Sequence, residues 1–361
     1  MANFLPPISN AISALVKVQG NQMLVYSMVR PRLLGEFPEA VKRAEMLGYD
    51  GTTFLELTVP PTLSAVAGAM TTSKIDLLTG IFVAFSRSPM ATAYDAWSIQ
   101  SLSKGRFQLG IGSQIKAHLT RRFGMEHLPP VKRMRDYVQA LHAIWDCWEN
   151  GTRLDYHGEY YNFDLMIPYY DPGPLNLPRV PIYIAAINKL MCQLTGELAD
   201  GHLPGDPITY KWFDEVMLPN LEIGAKKSGR ALKDISLGSY GFIGCANSDE
   251  GLDRVRKGLK ERVALYASTP EYEKILDMHG WDANLGDFID LARQNKWEEM
   301  GNLVSEEMLE SYSVVALAKD LPAALEKRFG GKVDRIQLDE NWFDAMSDGQ
   351  ISSLVTEIKK I

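Results

Sequence analysis

Cysteine and histidine are scarce in this 361-residue chain, with three of the first and six of the second. Cys147, Cys192 and Cys245 stand far apart, without Cys-x-x-Cys or Cys/His spacing. That excludes a disulfide framework, gives no reason to expect a metal site, and places the protein in a reducing, cytoplasmic setting. Positive charge is short as well: 38 Lys and Arg face 45 Asp and Glu, a net charge of −7, which argues against a nucleic-acid partner. No apolar run approaches the roughly 20 residues of a membrane span, so no membrane partner is expected. The stretch FLPPISNAISALV lies within Met1 to Gln22 with no basic residue before it. It reads as an N-terminal extension rather than a secretory signal. No Gly-x-Gly-x-x-Gly follows the first apolar segment, which argues against a dinucleotide-binding open sheet.

What the chain does have is apolar residues, 46% of the total, in short runs that alternate with helical patterns. Expected strands are Met23 to Met28, Thr52 to Leu57, Asp76 to Val83, Phe107 to Gly112, Ile182 to Ala186, Gly201 to Leu203, Ser236 to Gly244 and Val333 to Leu338. Helices are expected over Pro38–Leu47, Thr62–Thr71, Pro89–Ser101, Lys132–Trp148, Lys189–Ala199, Tyr210–Ser228 and Asp249–Ala267, with a final helix to Lys359. Eight strands alternating with helices read as a (β/α)8 TIM barrel with insertions after strands 4 and 7, at about residues 150–180 and 268–311. A doubly wound open sheet is the alternative. One domain is expected over residues 23–361. Met134, Val138, Leu141, Ile144, Trp145 and Trp148 recur at helical spacing and read as core.

The centre of the chain is SLSKGRFQLGIGSQIKAHLTRRFG, Ser101 to Gly124. Loops at the carboxyl ends of barrel strands face the ligand. Gly110 and Gly112 therefore leave room for a flat ring against the backbone at the end of the fourth strand. Gly112, Ser113 and Gln114 open a polar loop with Lys116, His118, Arg121 and Arg122. Lys132, Arg133 and Arg135 extend that basic group, which suits an anionic cofactor tail in an otherwise acidic chain. Glu56 ends the second strand, where catalytic groups sit. His118 is of the residue type that most often handles protons in catalysis. Ala185, Ala186, Ile187, Asn188 and Lys189 join the fifth strand to its helix, and free N–H groups at a helix start favour a phosphate. Tyr26, Leu57, Phe85 and the aromatic 150–180 loop are the candidate substrate-facing residues, pointing to a small, hydrophobic molecule.

These segments bring a resemblance with them. LSKGRFQLGIGSQIKAH resembles the fourth-strand signature of the bacterial-luciferase-like flavin and deazaflavin oxidoreductases. LGYDGTTFLE, LLTGIFVAFSRSP, PIYIAAINKLMCQLTGELADGH and KVDRIQLDE follow the family's pattern in order. SRSPMATA and the stretch to Gly124 are most similar to the branch that uses coenzyme F420. The resemblance implies a barrel, a ring bound beside Glu56, a cis peptide at Gly80–Ile81 under that ring, a contact from His118, and a homodimer. Leu57 stands where a proton-handling histidine often follows the acidic residue, and Ile187-Asn188 where Gly-Gly often stands. The expected activity is hydride transfer between coenzyme F420 and an organic substrate. The alternatives are an FMN-dependent monooxygenase using O2 and a non-catalytic flavin-binding protein.

Overall fold

The computed structural model describes residues 22–281 and 285–361. The expected N-terminal extension falls outside them, apart from Gln22. The strands in chain order are β1 (Leu24–Val29), β2 (Gly51–Phe54), β3 (Asp76–Thr79), β4 (Phe82–Val83), β5 (Phe107–Gly112), β6 (Tyr156–His157) and β7 (Asn162–Phe163). They continue with β8 (Ile182–Ala185), β9 (Gly201–Leu203), β10 (Ser236–Leu237), β11 (Phe242–Ala246), β12 (Ser313–Leu317), β13 (Arg335–Leu338) and β14 (Phe343–Asp344). The helices used below are α1 (Phe37–Met46), α2 (Pro61–Thr71), α3 (Pro89–Ser103), α4 (Lys116–Arg121), α5 (Pro130–Asn150), α6 (Lys189–Leu198), α7 (Tyr210–Trp212), α8 (Leu218–Lys227) and α9 (Asp249–Ala267).

Eight parallel strands form the barrel wall in the order β10-β9-β8-β5-β3-β2-β1-β13. The ends of that row meet at a bridge between Gly238 and Arg335, reinforced by Ser239 N–H to Arg335 O at 2.7 Å and Asp334 N–H to Leu237 O at 2.9 Å. Proline opens α1, α2, α3 and α5, where its missing N–H costs no helical bond. Ser88 caps α3 through the Ala91 N–H, and Lys104 closes it in the left-handed region, with φ 57°. The aromatic stripe of α5 is core as expected: Trp145 and Trp148 are buried against α3, where Trp148 meets Tyr94 and Trp97.

The strand interiors alternate as the pleat demands. Val25, Phe54, Leu77, Phe107 and Ile182 join the large core between barrel and helices, whereas Tyr26, Leu78 and Tyr183 form a separate cluster inside the barrel. Gly51 and Gly201 make that interior cluster possible. A Cβ on either would meet the ring of Tyr26 or Tyr183 at 2.3 or 2.0 Å. Arg335 lies between those rings, 4.8 Å from each centroid, and is almost fully buried. Asp76 accepts from Tyr26 Oη at 2.7 Å, and Gln108 Nε2 donates to both at 3.0 Å. This polar layer closes the barrel from below.

Several boundaries differ from the sequence reading. The second strand stops at Phe54, three residues before Leu57. The third breaks at Gly80–Ile81 into β3 and β4. The Ser113–Arg122 loop contains the short helix α4. The expected seventh strand, Ser236 to Gly244, is two strands: β10 belongs to the barrel, and β11 to a separate three-stranded sheet ordered β12-β11-β14. Gly241, at φ 74°, turns the chain between them where Tyr312 O leaves no room for a Cβ. Helices fill much of residues 273–312, as the acidic, helical character of that stretch suggests, whereas β12 and the helix over Leu321–Phe329 that follow were not distinguished in the sequence. Residues 150–180 are irregular except for the β6–β7 hairpin, held by Asp136 through the N–H of Tyr161 at 3.1 Å.

Candidate functional site

The carboxyl ends of β3, β5 and β8 form a surface of small residues. The Gly80–Ile81 peptide bond is cis, as the resemblance implied. Gly80 sits against Thr53, whose Cγ2 would lie 2.3 Å from an added Cβ. Gly112 sits against Ile81 Cδ1, at 2.3 Å from an added Cβ, and against the Ala185 Cβ at 3.4 Å. Gly80, Ile81, Gly112 and Ala185 are thus brought together. Ser113 and Gln114 continue the rim, with Gln114 in the left-handed region at φ 62° and its Oε1 accepting from the Ile115 N–H at 2.9 Å.

The turn after β8 is fixed from behind. Ala186 O receives His202 Nε2 at 2.7 Å, and Ile187 O accepts from Trp212 Nε1 at 3.0 Å. His202 is fully buried and stacks on Phe213; burial holds its pKa down at about 4, so the ring is neutral. Asn188 starts α6 without a side-chain cap, which leaves the first N–H groups of the helix facing outward. Asn188 and Lys189 are exposed. The N–H groups of this end could hold a phosphate, and the small-residue surface could hold a flat ring.

Glu56 is committed. Its carboxylate accepts from Arg87 at 2.6 and 3.0 Å and from the Val83 N–H at 2.6 Å, and its side chain is 7% exposed. Both oxygens are taken, so the carboxylate fixes the β4 backbone and is not available as a free base. Arg87, unnoticed in the sequence, is the residue that decides this. His118 lies exposed on α4, and Leu57, in the neighbouring loop after β2, is 54% exposed.

Other expectations are corrected. Tyr26 does not face a substrate; it is buried in the barrel floor, one layer below the mouth. Phe85 packs on the other side of β4, under the Arg133 guanidinium at 4.5 Å and beside Tyr137. Arg122 is engaged by the second-strand loop, donating to Leu57 O at 2.9 Å. Lys132 pairs with Glu159, Arg135 with Glu197, and Arg133 is buried beneath Tyr161. Of the basic group, the exposed Lys116 and Arg121 have no side-chain partner among the described residues.

The opposite side of the mouth holds a cluster that the sequence reading missed. Arg30 follows β1, Asp206 follows β9 and Asp339 follows β13. Arg30 Nη2 lies 2.8 Å from Asp339 Oδ2 and 3.9 Å from Asp206 Oδ2. Asp206 and Asp339 border a narrow recess of about 10 Å³, room for about one water, lined also by Met28, Phe242, Gln337 and Trp342. The only sequence signal was their position just past strand ends.

Known proteins agree with this architecture. The family model for luciferase-like monooxygenases matches residues 18–329. An uncharacterized protein of Mycobacterium tuberculosis is 36% identical over 306 residues, 85% of this chain and 90% of that protein. The 5,10-methylenetetrahydromethanopterin reductase of Archaeoglobus fulgidus is 28% identical over 291 residues, 78% of this chain and 82% of its own. Among solved structures, the coenzyme F420 dependent tetrahydromethanopterin reductase from Methanopyrus kandleri superposes with a TM-score of 0.77 at 18% identity, covering 94% of this chain and 99% of its own. An FMN complex of a type II Baeyer-Villiger monooxygenase from Pseudomonas putida gives 0.66 at 14% identity, covering 94% and 97%. With the barrel, the small-residue mouth and the family match together, the chain belongs to the luciferase-like monooxygenase family of oxidoreductases.

Proposed function

We propose that this protein moves hydride between coenzyme F420 and a small, hydrophobic organic substrate. The observation that carries the reading is the small-residue surface of Gly80, Ile81, Gly112 and Ala185, lying between an uncapped helix start and exposed Lys116 and Arg121. The deazaflavin ring supplies a two-electron hydride carrier when bound. Its phosphodiester suits the α6 N-terminus and Lys189, and its anionic tail suits Lys116 and Arg121. FMN would use the first and leave the second idle. His118, at the same rim, is the nearest candidate from the sequence for contact with the ring. Glu56, through Val83 and Arg87, keeps the surface under the ring in shape. A reducing interior fits three buried free cysteines.

Titrating F420 and FMN against wild type and the double variant Lys116→Ala/Arg121→Ala tests this. F420 is expected to bind more tightly than FMN, to weaken as salt rises, and to lose about tenfold in the double variant, since each exposed charge contact contributes a fraction of a kcal/mol to about 1 kcal/mol. Equal losses for both cofactors, or wild-type preference for FMN, would replace this reading with a flavin monooxygenase.

The reading extends to a homodimer. Helix α2 carries no charged residue, and its outward face is Leu63, Val66, Ala67 and Met70, with Leu63 47% and Met70 72% exposed. Solvent is a poor neighbour for such a face. Light scattering at micromolar concentration is expected to give twice the chain mass; a monomer that persists there refutes it.

A further inference from the structure

The break between β3 and β4 carries one residue more than the strand beside it, and one side chain fills the gap. Strand β3 pairs with β5 at Leu77–Phe107 and Leu78–Gln108, and β4 resumes the pairing at Phe82–Ile111 and Val83–Gly112. Thr79, Gly80 and Ile81 therefore face only Leu109 and Gly110, which makes the break a β-bulge. Leu109 turns its N–H to the other neighbour, donating to Pro181 O at 2.9 Å. The backbone groups of Gly110 point to the bulge, and the Thr79 hydroxyl meets both. It donates to Gly110 O at 2.8 Å and accepts from Gly110 N–H at 2.9 Å. Thr79 is fully buried, and its backbone oxygen lies 1.9 Å from where a Cβ on Gly110 would stand. From the other side, Gly80 N–H donates to Phe54 O of β2 at 2.7 Å. The bulge is thus tied to both neighbouring strands, and Ile81, which ends it, is the residue that meets Gly112.

We propose that Thr79 is a positioning residue for the cofactor surface, setting through Gly110 how far Gly80 and Ile81 stand out from the sheet. This rests on the reading that a flat ring lies on that surface. Buried backbone N–H and C=O groups have to be paired. With the Thr79 hydroxyl in place, both groups of Gly110 are paired while the extra residue stays out of the ladder. Without it, backbone groups can pair with Gly110 only if the extra residue is drawn back toward the sheet, and that moves Ile81 relative to Gly112 and Ala185. The β-branched side chain also has few rotamers in a strand, so the hydroxyl is held in one place relative to the backbone. Valine keeps that shape and loses both hydrogen bonds. Serine keeps the hydroxyl.

Hydrogen exchange at the Gly110 amide reads the contact itself. It is expected to be faster in Thr79→Val than in wild type, and to stay slow in Thr79→Ser. Titration with F420 and with FMN reads the surface. Whichever cofactor the wild type binds is expected to bind about tenfold more weakly, or worse, in Thr79→Val, and within about threefold of wild type in Thr79→Ser. The visible circular dichroism of the bound ring is expected to change in Thr79→Val and not in Thr79→Ser. Thr52→Val separates positioning from stability. Thr52 is equally buried, on β2, and accepts from Ser27 Oγ at 3.1 Å. This variant is expected to unfold at a lower temperature while keeping wild-type affinity and dichroism. Unchanged exchange or unchanged binding in Thr79→Val, a loss in Thr79→Ser as large as in Thr79→Val, or an equal loss in Thr52→Val overturns the role of Thr79. The wild type still binds a cofactor in each of those cases, so the ring-surface reading stands. A wild type that binds neither F420 nor FMN overturns that reading, and this one with it. If Thr79→Val does not fold, Thr79→Cys, which keeps only a weak donor, takes its place and the same outcomes decide.

Discussion

His202 makes the turn after β8 sensitive to acid, by an amount its burial sets. It is fully buried, its Nε2 is 2.7 Å from Ala186 O, and its Nδ1 has no partner among the described residues. Burial lowers its pKa from 6.5 to about 4, with Arg335 lowering it further and the Ala186 hydrogen bond opposing. In the unfolded chain the ring takes up a proton near pH 6.5, whereas in the folded chain it stays neutral until about pH 4. Stability is therefore complete above pH 6.5, falls as pH drops between the two values, and levels off below 4. The drop of two to three pKa units amounts to about 3 kcal/mol. His142 and His279 are also lowered to about 4 by burial and add to the same slope. The comparison must therefore be with His202→Gln, which fills the site without a titrating ring. Urea unfolding free energies from pH 7.5 to 4 are expected to fall about 3 kcal/mol further in wild type than in His202→Gln. Parallel pH profiles for the two proteins would show that His202 is not buried neutral and would refute the account of how Ala186 is held.

Arg87→Met leaves the Glu56 carboxylate, 7% exposed, with only the Val83 N–H as partner. Because Arg87 itself is 24% exposed, a loss of about 2–3 kcal/mol is expected, below the range for fully buried pairs, and guanidinium denaturation that finds it neutral would sink the clamp. Gly110→Ala and Gly112→Ala separate floor from mouth. The Gly110 Cβ would lie 1.9 Å from the Thr79 backbone oxygen, which cannot retreat, so a loss of 3 kcal/mol or more, or failure to fold, is expected. The Gly112 Cβ would meet the flexible end of Ile81 instead, so thermal unfolding is expected to change little while cofactor binding weakens; the opposite ranking of the two variants refutes the assignment of Gly112 to the ring surface.

The barrel was legible because its strands are short, apolar and punctuated. Phe107–Gly112 and Gly201–Leu203 have the same limits in sequence and structure, and proline marks the helix starts that follow several strands. Legibility ended at residue 238. The strands β11, β12 and β14 have the same composition as barrel strands, and nothing local says which sheet they join. Phe242–Ala246 pairs with Ser313–Leu317, some 70 residues later. The run from Ser236 to Gly244 therefore reads as one strand, and only the approach of Tyr312 to Gly241 shows why it turns.

The site was legible by residue type and position along strands, and illegible wherever a partner decided the role. Glu56 was found, but Arg87, 31 residues on, determines that it is an anchor. Arg122 was found as a charge, but Leu57, 65 residues back, takes it. Depth was the second blind spot. Tyr26 and Met28 lie two residues apart on one strand and point the same way, yet Tyr26 meets Asp76 and Gln108 below while Met28 lines the recess above. The interior layer of Tyr26, Tyr183 and Arg335 leaves a ligand no space beneath the mouth. That closed floor underlies two rims, the small residues of β3, β5 and β8 and the charges after β1, β9 and β13, which we propose as the walls of one site. Substitutions in the floor should therefore change stability before specificity, and substitutions on the rims the reverse.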